Sequence, residues 1–203
     1  MMNKDKCIWH VSKKGVAVWG FRVYLNTNFR RSMSANIVPR FKRQLKKERP
    51  NLRRFLKKFD TQFVRNINAL VQEADAATWQ ETDCLACANC CKVMTPTFRK
   101  ADIAKASAFL NMTPQEFYTR WLKKDPATGD HVNQKQPCQF LDLKTNMCSI
   151  YEVRPLDCAQ FPHFKRKPFG DYNHVHEQNI DYCPATFTFI SKLKARIEAD
   201  YRW

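Results

Sequence analysis

Glycine is scarce, at 4 of 203 residues (Gly15, Gly20, Gly129 and Gly170), against roughly 7% in average chains. No G-x-G-x-x-G, G-x-x-x-x-G-K-[ST] or G-x-S-x-G can be assembled from these four, which excludes the common dinucleotide, P-loop and nucleophile-elbow fingerprints. Long apolar runs are also missing, and none reaches the ~18 residues that a membrane-spanning helix needs. The best early apolar stretch, residues 15–24, follows Lys13 and Lys14, is broken by Arg22, and meets Arg30 and Arg31 without a small-residue cleavage site. It does not read as a secretory signal, so the chain is expected to be cytoplasmic. Acidic residues are few in the first part: residues 1–60 hold 17 Lys/Arg against 3 Asp/Glu, a net +14 of the chain's +16. The basicity therefore belongs to an N-terminal segment, which could meet nucleic acid or an acidic protein, although a solvated helix face is the simpler expectation.

Cysteine is what the chain has in excess. Eight of its nine cysteines fall between Cys84 and Cys183, while Cys7 stands far from them. In a reducing compartment such a group reads as thiolate ligands and not as disulfides. Cys84, Cys87, Cys90 and Cys91 form C-x2-C-x2-C-C, in which a tight backbone turn lets two thiolates converge on one ion, each sulfur about 2.3 Å from zinc. Adjacent Cys90 and Cys91 are expected to point apart and to serve different sites, or one of them is spare. Cys138, Cys148, Cys158 and Cys183 each stand beside a turn signal or a proline. Eight ligands allow two four-coordinate sites, or one cluster with unligated thiols left over. Four thiolates suit zinc and iron–sulfur clusters alike.

Periodicity organises the rest. Leu52, Phe55, Leu56, Phe59, Phe63, Ile67, Leu70 and Val71 recur at three- and four-residue spacing, which predicts one amphipathic helix near 50–75, with Pro50 in its first turn and Arg53, Arg54, Lys57, Lys58 and Arg65 on its outer face. Residues 101–110 predict a short helix, and Thr113-Pro114-Gln115-Glu116 is a capping box opening another from Pro114 to about Lys124. Residues 125–136 read as a surface loop. The segments at Cys138–Asp142 and Met147–Tyr151, around Lys144-Thr145-Asn146, predict a small hairpin in which Asp142 supports the turn. Arg154-Pro155 starts a short helix or turn carrying Cys158. His163, His174 and His176 could complete Cys3His sites, His174 and His176 on one side of a strand, but polar surface or supporting roles are the simpler expectation for each. Arg154 could offset thiolate charge, since four thiolates around Zn²⁺ leave a net −2. The chain divides into a basic extension, 1–48, expected to be partly disordered and containing Met33 as a candidate true start, and a cysteine-cluster metal-binding domain, 49–203.

The run Cys84 to Cys91, with Pro137-Cys138-Gln139-Phe140-Leu141-Asp142, Cys148-Ser149-Ile150-Tyr151-Glu152, Arg154-Pro155-Leu156-Asp157-Cys158, Phe161-Pro162 and Cys183-Pro184-Ala185, resembles the CxxCxxCC cysteine-cluster family of zinc- or iron-chelating bacterial proteins. The likeness spans about residues 84–185. A related cluster in flagellin lysine methylases implies iron–sulfur chemistry in some relatives. No further domain is recognisable here, and methylation is not carried over.

The expectation is thus a mainly helical α+β fold, with a metal-organised cysteine region, a short hairpin and a long basic N-terminal helix. Its expected function is chelation of zinc or iron. The alternatives are an iron–sulfur redox protein or enzyme, and a metal-scaffolded module that binds nucleic acid or an acidic partner.

Overall fold

A computed structural model describes residues 37–201. The expectations about Cys7, the early apolar stretch and Met33 lie outside the described residues. The first helix, α1 (Ile37–Lys58), presents Phe41, Leu52, Phe55 and Leu56 to the interior, one stripe of a 3.6-residue repeat. Pro50 lies inside this helix and not in its first turn. It is exposed, so water can serve the carbonyl that its missing N–H leaves unbonded. The helix runs unbroken through residues 48 and 49.

The expected single helix near 50–75 is two. α1 ends in turns over Phe59–Thr61, and a second helix, α2 (Ile67–Glu81), starts after Asn66, whose φ of 58° is left-handed and incompatible with helix continuation. Both helices bury apolar residues in the same core, so the periodicity survives while the helix does not. Phe63, placed by periodicity on the core stripe, sits in the break and is 89% exposed.

Short helices α3 (Cys84–Cys87) and α4 (Asn89–Val93) follow, then α5 (Lys100–Phe109) and α6 (Pro114–Trp121). The capping box at Thr113 is present in both directions, with Glu116 N–H donating to Thr113 Oγ1 at 3.2 Å and Thr113 N–H to Glu116 Oε2 at 2.7 Å. α6 ends sooner than expected because residues 122–124 leave it as strand β1 (Leu122–Lys124), which pairs antiparallel with β2 (His131–Asn133). The hairpin therefore lies partly in the segment read as loop. Its connection is held by Asp125, whose carboxylate accepts from Ala127 and Thr128 N–H, and by Gly129 at φ 78°, where a Cβ would be strained. At the expected hairpin there is only a single bridge, Leu141 to Cys148, around a turn in which Asp142 accepts from Lys144 N–H and Thr145 Oγ1. Short helices α7 (Leu156–Gln160) and α8 (Asn173–Asn179) precede the closing helix α9 (Pro184–Asp200), which no motif announced.

Two cores result. The larger joins α1, α2 and α9 with Phe164, Phe169 and Ile180, and includes Cys183; its centre is the stacked pair Phe164–Phe189, with ring centroids 3.9 Å apart. The smaller gathers Phe98, Ile103, Ala106, Phe117, Leu122, Phe140 and Ile150, with Cys138 and Cys148 packed against it. Mainly helical with one two-stranded antiparallel hairpin, the fold has the expected class. No described helix is long and apolar enough to cross a membrane.

Candidate metal centre

The C-x2-C-x2-C-C run is built as two helical turns at an angle. Asp83 caps α3, its Oδ1 accepting from Leu85 N–H at 3.0 Å and Ala86 N–H at 3.3 Å. Ala88, at φ 44°, then breaks the helix, a left-handed conformation that costs an L-residue roughly 1–2 kcal/mol. The break turns the chain so that Cys90 and Cys91 begin a new helix beside Cys84 and Cys87. Cys90 and Cys91 do not diverge as expected: their sulfurs are 3.9 Å apart.

Three other segments bring the remaining thiols to this turn. Cys138 N–H donates to Cys91 O at 2.8 Å. Cys148 faces Leu141 across the bridge, and Ser149 N–H donates to Phe140 O. Cys158 rides on α7, which is pinned at its start by Leu156 N–H to Asp102 Oδ1 and by Thr97 N–H to Asp157 Oδ2, both 3.2 Å. Cys183 caps α9, its Sγ accepting from Thr186 N–H at 3.4 Å, and Asn89 Nδ2 donates to Tyr182 O at 2.6 Å, joining that cap to α4. All eight cysteines are free thiols.

Burial makes these thiols reluctant to ionise. It raises Cys87, Cys138, Cys158 and Cys183, and pushes Cys148 up to about 11. Cys84 is exposed as a residue, but the protein around its sulfur and the neighbouring Cys183, Cys87 and Cys91 push it up to about 12. Within the Cys90–Cys91 pair the shared hydrogen bond holds Cys90 protonated and brings Cys91 down to about 7, with Lys92 helping. Without a cation the group is thus mostly neutral. Such thiols are poor nucleophiles, and a cation among them is what converts them to thiolates. The donor set is that of a soft metal. Among the described residues, no three His, Cys, Asp or Glu side chains already stand arranged around one ion.

The histidines fall elsewhere. His163 is buried with Nε2 3.2 Å from Asp157 Oδ1, one residue from Cys158. His174 and His176 belong to helix α8 and not to a strand. His176 is fully buried and stacked on Phe169 at 4.8 Å, with neither ring nitrogen bonded among the described residues. Arg154 lies over the Tyr151 ring at 3.9 Å and donates to Tyr151 O, while its charge favours the thiolate of Cys148. Asp102 binds Arg99 and the start of α7.

Asparagines supply contacts that the motifs do not signal. Asn133 is buried and donates to Cys138 Sγ at 3.1 Å, with its own oxygen fixed by Gln139 Nε2. Asn146 donates to Ala86 O at 2.9 Å, fastening the Asp142 turn to α3.

An uncharacterised protein of Methanocaldococcus jannaschii is 36% identical over 81 residues, covering 39% of this chain and 43% of that protein. The chain therefore spans less than half the length of that curated relative. No solved structure matches. The CxxCxxCC family, described as a "putative zinc- or iron-chelating domain", matches residues 83–183. That segment, which contains all eight clustered thiols, is a CxxCxxCC-family domain.

Proposed function

We propose that this protein binds zinc or iron through the thiolates of Cys84, Cys87, Cys90, Cys91, Cys138, Cys148, Cys158 and Cys183, and that the metal's task is to tie the two cores together. The observation that carries this reading is the meeting of thiols from separate segments around α4, between a core that contains Cys183 and a core that supports Cys138 and Cys148. These segments are short helices and loops with little sheet to order them. Thiolate coordination supplies on the order of 10 kcal/mol or more of folding free energy in small zinc domains, enough to fix such a junction.

The test is to purify the full chain anaerobically without chelator and to measure zinc, iron and acid-labile sulfide per chain, together with the visible spectrum. Zinc without colour supports a structural ion. Iron with sulfide and visible absorption moves the function to an iron–sulfur redox centre. Cys87→Ser should lower metal content and thermal stability together, and unchanged metal content in that variant refutes Cys87 as a ligand.

The module that binds nucleic acid or an acidic partner draws less support. Two of the helix α1 arginines, Arg49 and Arg53, are already paired with one carboxylate, Asp181, at 2.6 and 2.9 Å.

A further inference from the structure

Resting on the metal-binding reading above, we infer that the eight thiols form two separate four-thiolate sites, one of Cys84, Cys87, Cys90 and Cys183 and the other of Cys91, Cys138, Cys148 and Cys158, meeting at the Cys90–Cys91 peptide. Sequence spacing alone leaves this division open, since it fits one crowded cluster equally well.

Two observations divide the set. The first is which core holds each thiol. Cys183 is part of the α1–α2–α9 core, and Cys138 and Cys148 pack on the Phe98–Phe117–Phe140 core. Cys158 goes with the second group, because α7 is anchored to Asp102 of α5 and to Thr97 beside Phe98.

The second is backbone attachment. Cys138 is bonded to Cys91, and Cys148 is linked to Leu141 in the same loop. The residue before Cys183 is bonded to Asn89, one residue before Cys90. Cys84 and Cys87 occupy the turn of α3 that leads into this contact.

Charge also suits two sites. Each four-thiolate Zn²⁺ site carries −2 and needs a cationic or N–H environment. The second group has Arg154 near Cys148 and the Asn133 amide on Cys138. The first has Lys92 near Cys87 and the N-terminus of α9 on Cys183. One competing arrangement keeps Cys90 and Cys91 on a single ion, because sulfurs about 2.3 Å from a tetrahedral zinc lie roughly 3.8 Å apart, close to the 3.9 Å seen here.

Zn²⁺ titration of the reduced full chain, followed by competition with a chromophoric chelator, separates the two arrangements. Two zinc ions per wild-type chain are expected, and one in each of the double variants Cys84→Ser/Cys183→Ser and Cys138→Ser/Cys158→Ser. A single ion in wild type, or loss of all zinc in either folded double variant, overturns the division. If a variant fails to fold, cadmium-113 resonances of the wild-type chain decide: two signals in the all-thiolate range support two sites, and one overturns them. A wild-type chain that takes no zinc or cadmium overturns the metal-binding reading itself, an outcome distinct from a stoichiometry of one.

Discussion

His176 offers a test of the larger core that does not depend on the metal. Its ring is fully buried on Phe169, and neither nitrogen has a partner among the described residues. Burial, with a smaller contribution from His163 and His174, lowers its pKa from 6.5 to about 4. The direction of the stability effect follows. As pH falls through 6.5 the unfolded chain takes up a proton at this residue and the folded chain does not, so stability drops until pH 4, where the folded state also protonates. The displacement of about 2.5 pH units, at 1.36 kcal/mol each, makes the loss about 3 kcal/mol. His176→Phe keeps an aromatic ring on Phe169 and removes two unpaired buried nitrogens. Urea unfolding of both proteins, at equal metal loading from pH 8 to pH 4, gives the stability difference between them, in which the acid response of the cysteines largely cancels. That difference should be constant above pH 7.5 and shift by about 3 kcal/mol in favour of the variant by pH 4. A difference that stays flat across the range would refute the buried, neutral imidazole.

Other perturbations check the remaining junctions. Phe189→Ala, which removes the ring stacked on Phe164, should cost about 3–5 kcal/mol in urea unfolding, whereas Phe63→Ala, at an exposed ring, should stay within about 0.5 kcal/mol. Ala88→Gly should raise stability by about 0.5–1 kcal/mol, because glycine adopts the left-handed turn between α3 and α4 without strain; a loss of stability would contradict that conformation. Asp102→Asn should destabilise the chain by about 1–2 kcal/mol at pH 7 by weakening the bonds to Arg99 and Leu156. Asp102 has a lowered pKa, chiefly through Arg99, so its contribution is complete above 3.8 and fades as pH falls below it; the variant should lack that acid-side loss. Asn133→Ala should weaken zinc affinity roughly 10-fold or more in chelator competition, as outer contacts to metal ligands commonly do.

Features written in neighbouring residues were legible in the sequence. Thr113, Pro114 and Glu116 make their capping contacts within one turn, and the helix they announce is there. The turn at Asp142 and the helix carrying Cys158 are equally local. Features decided across the fold were not. Phe59, Phe63 and Ile67 continue the heptad-like spacing of Leu52, Phe55 and Leu56, yet the chain turns there, and Asp60 accepts from Asn173 far along the sequence. Pro50 looks like a helix start because its cost is local, whereas the burial of Phe41 that extends the helix backwards depends on packing against Phe187. The strand pair formed where a loop was expected, since β2 also supports Phe98 by accepting its N–H at His131 O.

The same distinction governs the site. Thiol chemistry and C-x2-C spacing identify the eight cysteines, but spacing cannot say which core each one joins. Cys90 and Cys91 are neighbours in sequence with sulfurs 3.9 Å apart, while Cys91 and Cys138 are separated by 46 intervening residues and joined by one backbone hydrogen bond. Asn89, Asn133 and Asn146 are undistinguished in the sequence and become informative once their amides are seen bonded to Tyr182, Cys138 and Ala86. Those three contacts all cross between segments that hold different cysteines or their supports. Removing any one should therefore disturb the binding of an ion without removing a single ligand, which a chain holding its metal at one local loop would not predict.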